Sequence, residues 1–209
     1  MSNPTSILIV AATESELPNL NGQFPNLKVD SLVTGVGMVS TTFLLTQHLT
    51  QKKYDLVANV GIAGAFAKSL EIGSVVQVSS ERLSELGAED HDNFLPADDM
   101  KLISKNELEF STDIKIDNLP TVSGITVNRV HGNAESIAKI RGRFNPHVES
   151  MEGAAVGFVC SKLGVPWCQI RSISNRVEPR NKANWNISLA LKNLHHEVWV
   201  YLQKLNNEA

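Results

Sequence analysis

Short apolar runs recur along the chain with the length and composition of buried β-strands. They lie at residues 6–12, 27–34, 55–60, 73–78 and 167–174. Residues 122–130 alternate between apolar and polar positions, which is typical of a strand with one covered face. Because helical patterns separate most of these segments, the chain as a whole is predicted to be an α/β protein.

Three segments carry apolar residues at the spacing of an amphipathic helix. The first follows a glycine turn at residues 35–37, and its expected buried face comprises Met38, Val39, Phe43, Leu45 and Leu49. The second begins after Glu152 and ends at Gly164, with Pro166 beyond it, as helices commonly end. The third covers residues 185–205 at the end of the given sequence.

Other segments are less regular. The glycines of residues 61–64 predict a loop whose backbone amides can approach a ligand closely. Residues 81–97 are polar and contain proline, which indicates a pocket loop or lid. Residues 98–117 predict one short helix, and residues 136–141 predict another. The glycine turn at 35–37 lacks the third glycine of a dinucleotide-binding fingerprint and follows the second strand instead of the first, so it is weak evidence for a cofactor.

Composition narrows the class of protein. With 209 residues, 42% hydrophobic and 20% charged, the chain is expected to form one globular domain over residues 1–209. A net charge of −3 gives no reason to expect nucleic acid or an anionic membrane as partner. Residues 1–5 lack the pattern of a signal peptide and no apolar run reaches membrane-spanning length. We therefore expect a cytoplasmic protein whose two cysteines, Cys160 and Cys168, are reduced and structural.

Polar residues follow two neighbouring strands where a ligand is expected. Glu152 stands between a short apolar strand and a helix, and Ser174 and Asn175 end the next strand. In open α/β sheets, ligands bind at such strand ends. Helix dipoles favour an ionised carboxylate here, and its two oxygens can accept from the neighbouring hydroxyls of a ribose. A competing interpretation is that Glu152 only begins the helix.

The runs Met-Glu-Gly-Ala-Ala at residues 151–155 and Arg-Ser-Ile-Ser-Asn at 171–175 carry a family resemblance. Together they resemble the nucleoside phosphorylase and nucleosidase superfamily. Residues 82–90 and 175–180 make the chain most similar to futalosine hydrolase. The resemblance spans roughly residues 6–200 and implies a three-layer α/β fold with a mixed, partly barrel-like central sheet.

The resemblance also implies roles for individual residues in hydrolysing the N-ribosidic bond of futalosine. It assigns water activation to Glu16, with Glu14 as the alternative, and recognition of the purine to Asn175. The expected substrate-binding residues are Glu152 for the ribose diol, with Met151, Ser174, Ala63, Gly64 and Gly37 around the sugar and base. Arg82, Arg176 and Arg180 are candidates for binding the carboxylate of futalosine. No metal or other cofactor is expected, because the acidic cluster at 89–92 matches no known metal-site spacing.

Alternatives remain within and beyond this family. A phosphorylase would need cations for phosphate, but carboxylates at Glu14 and Glu16 would repel it. A nucleosidase that releases adenine would carry Asp where Asn175 stands, so the amide favours a 6-oxopurine. A binding module without chemistry would have little need for Glu16. The resemblance further implies a homodimer or higher homo-oligomer.

Overall fold

The computed structural model describes residues 5–20 and 24–209. Within them, the strands are β1 (Thr5–Ala11), β2 (Leu27–Val33), β3 (Leu56–Ala65), β4 (Val75–Leu83), β5 (Gly87–Asp90), β6 (Asn93–Pro96), β7 (Glu109–Ser111), β8 (Thr121–Thr126), β9 (Val148–Ser150) and β10 (Trp167–Arg176). The helices are α1 (Met38–Gln51), α2 (Ala134–Phe144), α3 (Gly153–Leu163) and α4 (Ile187–Glu208). The expectation of no signal peptide rests mainly on residues 1–4, which lie outside the described residues.

The central sheet closes on itself over part of its width. In the described part of the chain, β3, β10, β4, β8 and β9 follow one another in a ring that returns to β3. Strands β1 and β2 extend the sheet from β3, and β7 pairs with β4. Because β1, β2, β3 and β10 are parallel while β9 runs against β3, the sheet is mixed. The predicted partly barrel-like sheet is confirmed.

Helices cover both faces of the sheet, which explains the continuous apolar runs. Ile7 and Ile9 of β1 pack in a core that includes residues of α4. Leu8 and Val10, which point the other way, pack with residues of α1 and α3. A strand buried on both faces has no polar positions to alternate with. The three-layer prediction is therefore confirmed, with the sheet between two helical layers.

Two segments expected to be loops belong to strands. Residues 61–64 form the second half of β3 and are paired with β10 and β9. The start of the polar segment 81–97 continues β4 to Leu83, and much of the remainder forms the hairpin of β5 and β6. Glycine and polar residues make a strand hard to predict from sequence. Here hydrogen bonds to neighbouring strands hold both segments in the extended conformation.

The expected buried face of α1 is wrong in part. Leu45 and Leu49 are buried, whereas Val39 and Phe43 are 85% and 66% exposed. The helix packs mainly against α3, so only a narrow apolar stripe is covered. Among the described residues, no helix is both long and apolar enough to cross a membrane.

Candidate active site

A cavity of about 360 Å³ opens at the ends of β1, β3 and β10. Since these strands are parallel, their carboxyl ends meet at one edge of the sheet, and β9 adds side chains from the opposite direction. The lining includes Glu16, Glu152, Ser174, Asn175, Glu149 and His131. Polar groups that converge on a concave, otherwise largely apolar surface are the usual mark of a ligand site.

Glu16 lies in the short 3-10 turn Glu14–Glu16 that follows β1, and it is buried. Its Oε2 accepts hydrogen bonds from Thr13 N (3.0 Å) and Thr13 Oγ1 (2.9 Å), and its Oε1 accepts from Ile62 N (3.1 Å). A carboxylate offers about four acceptor positions, so a site for a water remains. Glu14 is exposed and does not line the cavity.

Glu152 immediately precedes α3, yet its side chain does not cap that helix. Its Oε1 accepts from Gly37 N at 2.9 Å, while Ala154 N of the first turn donates to Thr126 Oγ1 at 2.7 Å. Burial raises the pKa of Glu152, and the nearby Arg171 cation opposes that rise. Glu152 therefore begins the helix by position but uses its side chain elsewhere, and burial opposes the ionised form that the helix dipoles were expected to favour.

Arg171 supplies a buried positive charge between these carboxylates. A Cβ built on Gly61 would collide with Arg171 Nη1 and lie 2.8 Å from Glu16 Oε1, so the guanidinium and Glu16 flank the same point of β3. Among the described residues, Arg171 Nε and Nη2 have no hydrogen-bond partner. Unmatched buried donors of this kind indicate a place for a water or a ligand.

Behind Arg171 a third carboxyl group, Glu81, is fully buried. It accepts hydrogen bonds from Gln169 Nε2 (2.6 Å) and Thr126 Oγ1 (2.9 Å). Burial raises the pKa of Glu81 to about 7, and the Arg171 charge limits the rise. The same Thr126 hydroxyl receives Ala154 N, so Glu81 is connected to the start of α3 and thus to Glu152.

Ser174 and Asn175 both line the cavity although they are adjacent in one strand. The register of β10 against β3 shifts between Ile173 and Asn175, and such a bulge re-aims side chains that would otherwise alternate. Ser174 Oγ donates to Asn175 Oδ1 at 2.8 Å, and Asn175 Nδ2 donates to Arg176 O at 2.9 Å. The amide is thereby held at the cavity wall.

His131 and Glu149 form a further polar pair in the lining. His131 Nδ1 lies 2.6 Å from Glu149 Oε2, and His131 N donates to Glu149 Oε1 at 3.0 Å. Only 12% of the His131 side chain and 3% of the Glu149 side chain are exposed. The pair adds a fixed carboxylate to the same wall as Asn175.

Comparison with known proteins gives the family. The family model of the phosphorylase superfamily matches residues 16–199. The chain belongs to that superfamily. It is 34% identical over 163 residues to a futalosine hydrolase of Streptomyces coelicolor, an alignment that covers 72% of this chain and 66% of that protein.

Two further members of the superfamily are similar. A 5′-methylthioadenosine/S-adenosylhomocysteine nucleosidase of Colwellia psychrerythraea is 29% identical, with 74% of this chain and 69% of that protein aligned. The solved structure of a futalosine hydrolase mutant of Helicobacter pylori is 18% identical and covers 96% of this chain and 99% of that one. Its TM-score of 0.80 shows that the superfamily fold extends across nearly the whole chain.

Most residues predicted for the site come together in the structure. Those that line the cavity are Glu16, Met151, Glu152, Ala63, Gly64, Ser174 and Asn175. Gly37 binds Glu152 through its backbone N–H and so supports the site from behind. The roles assigned to these residues remain predictions, which their shared location makes testable.

The arginines predicted to bind substrate lie elsewhere. Arg82 is outside the cavity lining and donates twice to Asp98 at 2.8 Å, with Glu109 also in contact. Its charge is neutralised there, so the Arg82 prediction does not fit its place in the fold. Arg176 donates to backbone carbonyls. Arg180 is exposed, and its guanidinium lies 5.0 Å from the ring of Trp185, which itself lines the cavity.

Several lining or neighbouring residues were missed from the sequence. Arg171 begins one of the runs that carry the resemblance and Glu149 lies two residues before the other, but the sequence does not show which groups their charges contact. His131 was assigned only to a turn. The acidic cluster at 89–92 lies around the hairpin of β5 and β6, and the described residues include no group of His, Cys, Asp and Glu that could hold a metal ion.

Proposed function

We propose that this protein hydrolyses the N-ribosidic bond of futalosine, releasing hypoxanthine and dehypoxanthine futalosine in a cytoplasmic, futalosine-dependent route to menaquinone. The observation that carries the proposal is the convergence of Glu16, Glu152 and Asn175 on one cavity, with Arg171 beside the two carboxylates. Relatives named futalosine hydrolase add support. We call the part around Glu16, Glu152 and Arg171 the sugar end, and the part around Ser174, Asn175, Glu149 and His131 the base end.

The sugar end meets the needs of cleavage through an oxocarbenium-like ribose. Glu16 has an acceptor position left for a water, and the buried Arg171 charge lies beside Glu16. When that water attacks C1′, its proton passes to Glu16 and the electrons of the C1′–N9 bond move onto the purine. The departing purine takes up a proton from solvent at N7 and leaves as neutral hypoxanthine. The Glu152 carboxylate accepts from the two ribose hydroxyls, which fixes C1′ against the water.

At the base end, the Asn175 amide offers a donor toward purine O6 and an acceptor toward a protonated N7. An adenine nucleoside presents an amino group in place of O6, so the amide favours hypoxanthine. Adenine release is nevertheless the second candidate function, because relatives named methylthioadenosine nucleosidase are also similar to this chain.

Phosphorolysis is disfavoured by the charge at the sugar end. Arg171 is a cation beside the expected site of attack, and Glu16, Glu152 and Glu81 lie near it. Placing a phosphate dianion beside three carboxyl groups and one guanidinium would cost more electrostatic free energy than placing a neutral water there. A water is therefore the nucleophile that this arrangement favours.

Futalosine carries a benzoate on its 5′ extension, and we propose Arg180 as the group that binds it. Arg180 is exposed and stacks on Trp185 at the cavity wall. Arg82 and Arg176 are engaged by acidic and carbonyl oxygens elsewhere. A carboxylate at the mouth of the cavity would meet the Arg180 charge without further burial.

We also propose that two copies associate through α1. Val39 and Phe43 line an exposed groove on this helix, and the preceding Val36 lines the cavity. Association there would cover the apolar groove and bring a second copy next to the site. Phe43→Glu is expected to yield monomers in analytical ultracentrifugation, and an unchanged sedimentation coefficient would contradict this interface.

Product chromatography tests the function directly. Futalosine, inosine and methylthioadenosine are incubated with the protein, each with and without phosphate. Hypoxanthine from futalosine at a rate independent of phosphate is the expected result. A ribose 1-phosphate product would indicate a phosphorylase, predominant adenine release would indicate the second candidate, and no turnover of any nucleoside would leave only a binding module.

A further inference from the structure

Glu81 has no part in the chemistry outlined above, although it is fully buried behind the sugar end. It lies on β4, and each of its oxygens accepts a hydrogen bond from a different strand. Gln169 Nε2 of β10 donates to Oε2 at 2.6 Å, and Thr126 Oγ1 of β8 donates to Oε1 at 2.9 Å. Burying a carboxyl group costs free energy even with such partners, which makes Glu81 a candidate for a role in the site.

The Thr126 hydroxyl extends this contact to α3. Ala154 N, in the first turn of that helix, donates to Thr126 Oγ1 at 2.7 Å. A backbone N–H can only donate, so the hydroxyl accepts from it and gives its single proton to Glu81. Glu81 thereby fixes the orientation of the side chain that receives the first turn of α3.

Glu81 also contacts the start of α3 directly. A Cβ built on Gly153 would lie 2.6 Å from Glu81 Oε2 and 2.5 Å from Gln169 Oε1, so a real side chain there would displace both groups. Glycine lets the helix start pack directly against them. The two side chains therefore set how closely α3 approaches β10.

The helix start in turn determines where Glu152 lies, because Glu152 directly precedes Gly153. On the other strand, Gln169 is two residues before Arg171 in β10, so their side chains point to the same face of the sheet. Glu81 therefore connects the element that carries Glu152 to the element that carries Arg171.

We propose that Glu81 is a positioning residue, which holds the first turn of α3 against β10 and so places the Glu152 carboxylate for the two ribose hydroxyls. This rests on the proposed function only in assigning those hydroxyls to Glu152. Without the acceptor oxygens of Glu81, the Thr126 hydroxyl is free to turn and the helix start can shift. Hydrogen bonds to both hydroxyls need one distance and angle, so a shift weakens them while the remainder of the nucleoside still binds.

Binding of a nucleoside that cannot be cleaved measures this placement. Formycin B is a C-nucleoside counterpart of inosine, and its bond between base and ribose resists hydrolysis. Formycin B and its 2′-deoxy counterpart are titrated separately in a calorimeter with each protein. The wild type is expected to prefer formycin B by about tenfold or more, because the deoxy ligand leaves an oxygen of Glu152 without its donor. A misfolded fraction would lower the stoichiometry and leave the ratio of the two dissociation constants unchanged.

Two pairs of variants separate the hydrogen bonds of Glu81 from its size. Glu81→Leu removes both acceptor oxygens and Thr126→Val removes the hydroxyl, so each should reduce the preference for formycin B by about threefold or more. Glu81→Gln keeps an oxygen for Thr126 and Thr126→Ser keeps the hydroxyl, so both should stay within about twofold of the wild type. Glu135→Leu on the exposed surface of α2 is the control and should keep the wild-type preference.

Three results would overturn the proposal. The first is a wild-type preference retained in both Glu81→Leu and Thr126→Val. The second is an equal loss of preference in Glu81→Gln and Glu81→Leu, which would show that the acceptor oxygen is not what matters. The third is a wild type that does not prefer formycin B to its 2′-deoxy counterpart, including one that binds neither.

The same measurements distinguish this proposal from the hydrolase proposal. A protein that does not cleave futalosine but shows the expected preferences retains the Glu81 proposal and loses the proposed function. A protein that cleaves futalosine while Glu81→Leu and Thr126→Val keep the wild-type preference loses the Glu81 proposal alone.

Discussion

The two ends of the cavity differ in how their polar groups are held. At the sugar end, the carboxyl groups of Glu16 and Glu152 lie near the buried guanidinium of Arg171. At the base end, the contacts are hydrogen bonds between side chains. Arg171 gives the sugar end a buried positive charge, which opposes the rise that burial causes in the pKa of Glu152. Glu149 and Asn175 are held by hydrogen bonds to His131 and Ser174 instead. We therefore expect the first end to govern the rate of cleavage and the second end to govern the choice of base.

The largest effect is expected from removing the charge of Glu16. A positioned general base contributes about 10²–10⁴-fold, so Glu16→Gln should lower kcat by at least about 10² while hypoxanthine still binds. Glu14→Gln is the matched control, because Glu14 is exposed and outside the cavity. Steady-state kinetics decide the assignment. If Glu14→Gln is the slow variant and Glu16→Gln is within about threefold of wild type, the base is Glu14.

The burial of Glu81 behind the sugar end should make the free energy of unfolding depend on pH. The pKa of Glu81 rises from 4.5 in the reference state to about 7 on burial. Between these values the folded protein binds more protons than the unfolded chain, so the free energy of unfolding falls as pH rises and then levels off. The Glu81 contribution to this loss is about 3 kcal/mol.

Urea unfolding of wild type and Glu81→Gln at pH 5 and pH 8 measures that contribution. Part of that loss is already complete at pH 5, so the wild type should lose about 2–3 kcal/mol more than the variant between the two pH values. Glu152 is present in both proteins and its charge helps to raise the pKa of Glu81, so the difference between the two profiles includes the interaction of these two groups. Parallel pH profiles would contradict a raised pKa at Glu81.

A change at the base end should alter selectivity more than rate. Asn175→Asp replaces the amide with a group that can carry a proton to N7 and accept from a 6-amino group. A mispaired buried polar group costs about 1–3 kcal/mol, so the preference for futalosine over its 6-amino counterpart should narrow about tenfold or reverse. The values of kcat/KM for both substrates in both proteins provide the measurement. Equal use of the two substrates by the wild type would count against recognition by Asn175.

The smallest effect is expected at the mouth of the cavity. Because the Arg180 charge is exposed and screened by solvent, Arg180→Met should raise KM for futalosine only about two- to fivefold. KM for inosine, which has no 5′ carboxylate, should not change. Arg82→Met is a useful comparison: its charge is paired with Asp98, so we expect it to affect stability and leave the ratio of the two KM values unaltered.

The sequence predicted the strands and the sugar end better than the contacts between distant charges. Uniform apolar runs identify β1 because both of its faces are covered, and Glu152 follows a strand at a recognisable position. The strand at residues 61–64 was missed because glycine favours loops, although here it leaves room for Arg171. Pairs such as Arg82 with Asp98 and His131 with Glu149 depend on how strands are ordered, which local patterns do not encode.

The hydrogen bonds around Glu16 have a spectroscopic consequence. Thr13 N–H and Ile62 N–H come from different strand ends, yet both donate to this one carboxylate. Glu16→Gln replaces the carboxylate with a neutral amide oxygen, which is a weaker acceptor, so both amide resonances should move upfield together in the variant relative to the wild type. These two backbone amides therefore form an internal indicator of the charge on the proposed base, readable by NMR in the resting protein before any nucleoside is added.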